Sequence, residues 1–210
     1  MSSETDRGGL YVVSAPSGAG KTSLLKALIA RYPRLAFSVS YATRRPRPDE
    51  VEGRDYHFID AARFERMRSR GEFLESATVY GNGYGTGAAD VERLRAAGRD
   101  VVLEIDWQGA RQVRERVPET ISVFILPPSR SVLRARLTHR GTDSEETITR
   151  RMAAAAAEIR HWCEYDYVIV NEDFARALAD LEAVFAGRGA ALGRSRTGLA
   201  VFAAGLVAPD

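Results

Sequence analysis

Cysteine is nearly absent from this chain: Cys163 is the single one in 210 residues, so no internal disulfide can form. It falls in a stretch with helical spacing, where a buried, inert thiol is expected. Histidine is scarce as well. His57, His139 and His161 show no metal-ligand spacing, so no histidine-built metal centre is expected. The longest apolar stretch, "GLAVFAAGLVA" near the C-terminus, is well short of the ~20 residues a membrane-spanning helix needs. An excess of charge of one sign is missing too. With 30 basic and 28 acidic residues the net charge is +2, not the footprint of a nucleic-acid binder. Residues 1–8 are polar and lack the apolar core of a secretory leader, so a cytoplasmic protein is expected, with neither membrane nor nucleic acid as partner.

What is present is a packed-core composition, 45% hydrophobic, arranged in alternating patterns. "LYVVSA" is a short apolar run bounded by turn residues and reads as a buried strand. "TSLLKALIARY" carries apolar residues at Leu24, Leu25, Leu28 and Ile29, which is helical spacing. "AFSVSYAT" reads as one further strand, and "RRPRPDEVEGRDYHF" as an exposed loop. "AARFERMRSRG" is a helix that Asp60 is placed to cap. "EFLESATVYGNGYGTG" mixes strand character with a Gly-rich bend. "ADVERLRAAG", "WQGARQVRERV", "SVLRARLTHRG" and "DFARALADLEAVFAG" read as helices, and "DVVLEID", "ISVFIL" and "YDYVIVN" as strands. Asp143 or Ser144 would start the helix that holds "EETITRRMAAAAAEI".

Strands alternating with helices predict an α/β fold: a parallel sheet core with helices on both faces. Residues 43–86 break the alternation and read as an inserted subdomain. The core would comprise residues 9–42 and 87–186, with residues 1–8 a frayed tail. Residues 187–210, rich in Gly and Ala, read as a loose tail or an interface segment, and the sequence is compatible with self-association.

Between the first strand and first helix lies "SAPSGAGKTSL". A phosphate-binding loop has the form G-x-x-x-x-G-K-[ST], and Gly20, Lys21 and Thr22 fit its end, with Ala15 at the first glycine position. Ala15, Pro16, Ser17, Gly18, Ala19 and Gly20 would cradle phosphates through backbone N–H groups and the helix N-terminus. Lys21 would reach the β- and γ-phosphates of ATP, and the Thr22 hydroxyl would bind Mg²⁺. Strand periodicity puts Glu104 and Asp106 on one face of a strand tip, where either could serve Mg²⁺ through water. Further on, Arg44, Arg45 and Arg47 lie near Tyr56 in the chain, a set suited to grip a monophosphate. A carboxylate near a strand end, followed some ten residues later by Tyr and a hydroxyl, could form a base pocket. Guanine presents N1–H and N2–H₂ on one edge, which one carboxylate can accept together, whereas adenine lacks that pair.

The ordered set "SAPSGAGKTSL", "SVSYATRRPRPDEVEGRDYHF", "GEFLESATVYGNGYGT", "DVVLEIDWQGA", "RLTHRGTDSEETITRRM" and "VIVNED" resembles bacterial guanylate kinases over residues 10–186. The resemblance implies a P-loop kinase fold with an inserted GMP-binding subdomain and a helical lid at about residues 129–155. It implies Mg-ATP-dependent phosphorylation of GMP, with dGMP a second acceptor, by direct in-line transfer. Ser40, Arg44, Arg47, Tyr56 and Tyr84 would then hold the GMP phosphate, Glu75 would read guanine N1 and N2, Thr86 its O6, and Asp106 would add a contact. Arg136, Arg140 and Arg151 would close on ATP and the transferred group, and Asn171 would touch adenine. Lys21, Arg44, Arg140 and Arg151 would carry the catalysis. The family's usual "GNYYGT" is here "GNGYGT", and Gly83 in place of an aromatic residue is expected to loosen that loop. "GTGAADV" likewise replaces the usual Ser-containing continuation after Thr86.

Two other readings compete. A P-loop kinase for a different phosphate acceptor would have no use for a guanine-reading carboxylate. A non-catalytic peptide-binding relative would typically lose the loop lysine, and Lys21 is intact.

Overall fold

A computed structural model describes residues 7–79, 81–138 and 144–208. Its five-stranded sheet has the order β2-β7-β1-β8-β9, with β1 Leu10–Ser14, β2 Leu35–Phe37, β7 Asp100–Glu104, β8 Ile121–Leu126 and β9 Tyr167–Val170. The β2/β7 and β8/β9 pairs are both parallel. Every residue of β1 is buried, as is β8 after its first position, the near-continuous burial that parallel core strands show. Among the described residues no helix is long and apolar enough to cross a membrane. The chain divides into two compact units, and the division falls within β1.

The first unit holds the described residues of Met1–Val12 and Pro33–Ile121. Besides β2 and β7 it carries a second sheet of order β4-β3-β6-β5, with β3 Tyr41–Ala42, β4 His57–Phe58, β5 Phe73–Val79 and β6 Asn82–Gly87. Its helices are α2 Ala61–Ser69, α3 Ala88–Ala96 and α4 Trp107–Arg116. Asp60 caps α2 as expected, its Oδ1 accepting the Arg63 N–H at 2.7 Å. The stretch expected to form one strand, "AFSVSYAT", is two. Leu35–Phe37 pair with Asp100–Val102, while Tyr41 and Ala42 pair with β4 and β6 in the other sheet. Alternation has the same period in either sheet and does not encode which edge a strand joins. The expected exposed loop is likewise shorter, because His57 and Phe58 leave it to pair in parallel with β3. The tail expected to fray over residues 1–8 is fixed at Gly8, which is buried: its N–H donates to the Arg95 carbonyl at 2.9 Å, and its carbonyl accepts from Arg95 Nε at 2.9 Å, while residues 1–6 lie outside the described residues.

The second unit holds the described residues of Val13–Tyr32 and Ser122–Asp210. It contains α1 Lys21–Arg31, α5 Arg130–Thr138, α6 Glu145–Ile159, α7 Phe174–Phe185 and α8 Leu199–Val207. Ser144 starts α6, its Oγ accepting the Thr147 N–H at 3.3 Å, with Glu145 and Glu146 in the positive first turn. Asp143, the other candidate, lies outside the described residues.

Two expectations fail in this unit. Cys163 is exposed, because its short 3-10 turn, Arg160–Glu164, buries none of its residues. The C-terminal segment is not loose. Gly193 bridges to Tyr167, the Arg194 N–H donates to the Asp166 carbonyl, and α8 packs on α6 with Leu199, Ala203 and Leu206 buried. Small residues between those apolar positions made α8 look featureless in sequence, yet its buried set follows the i, i+4, i+7 rule.

Leu206→Ala should therefore lower stability by ~2–3 kcal/mol in urea denaturation. Val201→Ala, on the exposed side of the same helix, should change it by less than ~0.5 kcal/mol.

Candidate active site

The phosphate loop runs from the end of β1 into α1. Gly18 and Gly20 take positive φ values of 88° and 93°, left-handed turns that bend the loop tightly, and between them the Ala19 N–H donates to the Pro16 carbonyl at 3.1 Å. Gly20 is also the N-cap of α1 and supplies no side-chain bond to its first turn. A second constraint comes from β9. Asn171, at the end of that strand and only 4% exposed, donates its Nδ2–H to the Ala19 carbonyl at 2.7 Å. A Cβ on Gly20 would stand 2.4 Å from that same Nδ2. Glycine is needed here twice over, for its φ and for its lack of volume.

Asn171, expected to touch adenine, holds the loop through its Nδ2. Its backbone carbonyl accepts from Arg136 Nη2 at 3.2 Å, which ties α5 to the same point. Among the described residues, its Oδ1 and Arg136 Nη1 are both buried without a hydrogen-bond partner. Lys21 is half-buried at the start of α1, and Thr22 follows it exposed. Arg151 is half-buried on α6. Arg140 lies outside the described residues.

In the first unit the predicted residues form two clusters. One is centred on Glu75. The β5/β6 register sets Glu75 opposite Thr86, and the Thr86 hydroxyl donates to Glu75 Oε1 at 2.6 Å. Thr86 has one proton to give, so Ser40, whose Oγ lies 3.4 Å from Thr86 Oγ1, donates the next link. Ser40 thus joins Glu75 and Thr86. Glu75 is 4% exposed and Thr86 is fully covered. Burial pushes the Glu75 carboxyl up to about 7; the Thr86 bond opposes this and the nearby Asp106 charge adds to it. Asp106 is the N-cap of α4, its Oδ1 accepting the Gly109 N–H at 2.9 Å. Glu104, at the end of β7, is half-buried.

Residues that sequence reasoning passed over build the walls of this pocket. A Cβ on Gly109 would come 2.6 Å from Glu75 Oε2, so α4 can pass only where it lacks a side chain. Gln112 pairs with Ser76 as a strand would, accepting its N–H at 3.1 Å and donating to its carbonyl at 2.9 Å. Arg116 Nη1 donates to the carbonyls of Phe73 and Leu74. The helical spacing of Gly109, Gln112 and Arg116 was visible in the sequence, but the strand they face was not.

The second cluster is centred on Arg44. Its Nε donates to the Tyr84 hydroxyl at 3.1 Å, and its guanidinium carbon stands 5.0 Å from the Tyr56 ring centre and 5.6 Å from that of Phe58. Its Nη1 and Nη2 donate to the two oxygens of Glu50 at 2.5 and 2.6 Å. Glu50 was not predicted. The available signal was an acid six residues after Arg44 in the same loop. Arg47, by contrast, is exposed, and its backbone N–H is what bonds Glu50, at 2.8 Å. Gly83 does not loosen its strand: its N–H donates to Thr43 Oγ1 at 2.8 Å and its carbonyl accepts the Thr43 N–H at 3.0 Å. The Phe64 ring fills the space above, 2.8–2.9 Å from where a Cβ would be. The aromatic bulk expected at position 83 is supplied by α2.

The donor set suits Mg²⁺ held mainly by phosphates: a hydroxyl on the loop, while among the described residues no three His, Cys, Asp or Glu side chains gather into a metal cage. Comparison with known proteins accords with this geometry. Residues 7–187 match the family model described as Guanylate kinase. The chain is 60% identical over 178 residues to a guanylate kinase of Alkalilimnicola ehrlichii, covering 85% of this chain and 88% of that one. It is 56% identical over 184 residues to one of Thiobacillus denitrificans, covering 88% of each. The crystal structure of guanylate kinase from Anaplasma phagocytophilum superposes with a TM-score of 0.70 at 33% identity over 95% of both chains. This chain, with its phosphate loop, its buried acid–threonine pair and its arginine–tyrosine cluster, belongs to the guanylate kinase family.

Proposed function

We propose that this guanylate kinase transfers the γ-phosphoryl group of ATP to GMP, giving ADP and GDP, and that the two clusters of the first unit hold the acceptor. The observation that carries the acceptor assignment is the buried Glu75–Thr86 pair. A carboxylate out of water is costly unless a ligand satisfies it, and guanine N1–H and N2–H₂ are two adjacent donors. Adenine would leave it unpaired. Thr86 then acts on the base through Glu75, by holding its carboxylate, and Asp106 adds a second acidic neighbour. Arg44, Arg47, Tyr56 and Tyr84 would take the monophosphate.

ATP would lie on the loop of residues 15–22, its phosphates on the backbone N–H groups and Lys21. Thr22 would hold Mg²⁺. When bound, the ion neutralises charge on the β- and γ-phosphates. No side chain need act as nucleophile or base, because phosphoryl transfer asks chiefly for alignment and charge neutralisation. Arg136, Arg140 and Arg151 would supply positive charge over the transferred group from the lid at about residues 129–155. Asn171 serves the donor site indirectly, by fixing the loop through Ala19.

ADP release from Mg-ATP with GMP, AMP, CMP and UMP as separate acceptors tests the reading. Strong turnover with GMP, little with AMP, and a loss of roughly 100-fold or more in Lys21→Ala are expected. Glu75→Ala should lower kcat/KM for GMP by at least about tenfold. Equal turnover with AMP and GMP would overturn it.

The pH dependence follows from the raised Glu75 value. Guanine recognition needs the carboxylate, so kcat/KM for GMP should climb as pH rises toward about 7 and level off above it. Glu75→Gln should lose that limb while keeping whatever the substrate phosphate contributes. For stability the sign is opposite. A carboxyl raised from 4.5 to about 7 on folding contributes stability below pH 4.5 that is lost as pH rises through 7. Glu75→Gln should therefore melt close to the native chain at pH 4.5 and roughly 5 °C above it at pH 8.

Asn171→Ala removes the bond to the Ala19 carbonyl. It should raise KM for ATP several-fold and lower stability by ~1–3 kcal/mol, with KM for GMP unchanged, measured by initial rates and urea denaturation.

A further inference from the structure

Arg44 is bound on nearly every side before any substrate arrives. A guanidinium has five N–H groups. The Nε–H goes to Tyr84, the two on Nη1 go to Glu50 Oε2 and the Arg45 carbonyl, and one on Nη2 goes to Glu50 Oε1. One Nη2–H is left over. In a fork-to-fork pair the carboxylate occupies the edge between Nη1 and Nη2, so the remaining proton lies on the edge shared with Nε. That edge also carries the Tyr84 hydroxyl, which accepts from Nε and keeps its own proton to give. Together they are two donors side by side, suited to one phosphate oxygen.

Glu50 is itself fixed. Its Oε2 takes the Arg47 N–H as well, and both side chains of the pair are 15% exposed. Arg44 holds the Glu50 carboxyl down at about 2, so the pair stays charged throughout the working range. The rings of Tyr56 and Phe58 restrain the guanidinium from the side. The result is an arginine whose charge is already matched and whose orientation is set. Arg47 differs: its side chain is exposed, and among the described residues it enters no ion pair.

We propose that Glu50 is a positioning residue for the acceptor phosphate. It clamps the outer edge of Arg44, so that the inner edge and Tyr84 meet the monophosphate in one geometry, while the uncompensated charge comes from Arg47. The inference rests on the reading of Arg44 as a phosphate ligand. It is a statement about preorganisation: the ordering of a long side chain is completed on folding and not on binding.

Steady-state kinetics on Glu50→Gln, Arg44→Ala and the double variant test it, with thermal melting as a check that each is folded. Glu50→Gln should raise KM for GMP about tenfold and leave KM for ATP within about twofold. Glu50→Asp, which keeps the charge but not the reach, should fall between Gln and the native residue. In the Arg44→Ala background, Glu50→Gln should have no further effect on KM for GMP, because it acts through Arg44. A lower KM for GMP in Glu50→Gln would mean that the carboxylate competes with the phosphate, and would overturn the proposal. So would an unchanged KM, or an effect that persists without Arg44. If Arg44→Ala leaves KM for GMP at the native value, the phosphate-ligand reading fails and takes this inference with it. If Arg44→Ala is impaired and Glu50→Gln is not, the positioning role alone fails.

Discussion

A carboxyl group shut away from water and held by Thr86 is the constraint around which the first unit is built. Glu75 is 4% exposed and accepts from Thr86 at 2.6 Å. Leaving a charge there is unfavourable, and its raised proton affinity expresses that. The surrounding structure is what keeps the group in place. The antiparallel register of β5 and β6 sets Glu75 against Thr86, and a slip of one residue would send both side chains to the other face. Gln112 holds the backbone of Ser76 as a neighbouring strand would, and Arg116 takes the carbonyls of Phe73 and Leu74. Gly109 lets α4 approach without closing the pocket. A site that tolerates an unfavourable group unliganded is well placed to discriminate among ligands, because in the proposed reading a base with two matching donors would relieve it.

The phosphate loop poses the opposite problem. In the proposed donor site anions would be held by backbone donors, and the loop keeps a conformation that most residues resist. Two left-handed glycines permit it, and Asn171 enforces it by bonding the Ala19 carbonyl from the end of β9. The same amide fills the space where a Gly20 side chain would go. Residues 152 positions apart therefore constrain one another: the loop needs glycine because the asparagine is there, and the asparagine is useful because glycine admits it.

The arginine cluster shows how charge and geometry can be assigned to different residues. Arg44 is matched by Glu50 and bonded to Tyr84, while Arg47 stays exposed. An unpaired arginine attracts a phosphate but must order itself on binding; a clamped one attracts less and orients more. The proposed acceptor site uses one of each.

The phosphate loop was legible in the sequence because its chemistry is local: a glycine that can turn left-handed, a lysine, a hydroxyl and a following helix all lie within eight residues. The alternation of strands and helices was legible for the same reason, as were the caps at Asp60 and Ser144. The resemblance supplied Glu75, Thr86, Arg44 and Tyr84, and the hairpin register and the loop fold draw them into two groups. Tertiary structure alone decided the rest. It split "AFSVSYAT" between two sheets, since a strand's period does not name its partner. It ordered the C-terminal segment on α6 and left Cys163 exposed, because burial depends on what packs opposite. It put Asn171 beneath the loop, Phe64 in the space over Gly83 and Glu50 against Arg44. These are pairings between distant or oppositely charged residues whose meeting depends on the path of the backbone, and no spacing in the chain records that path.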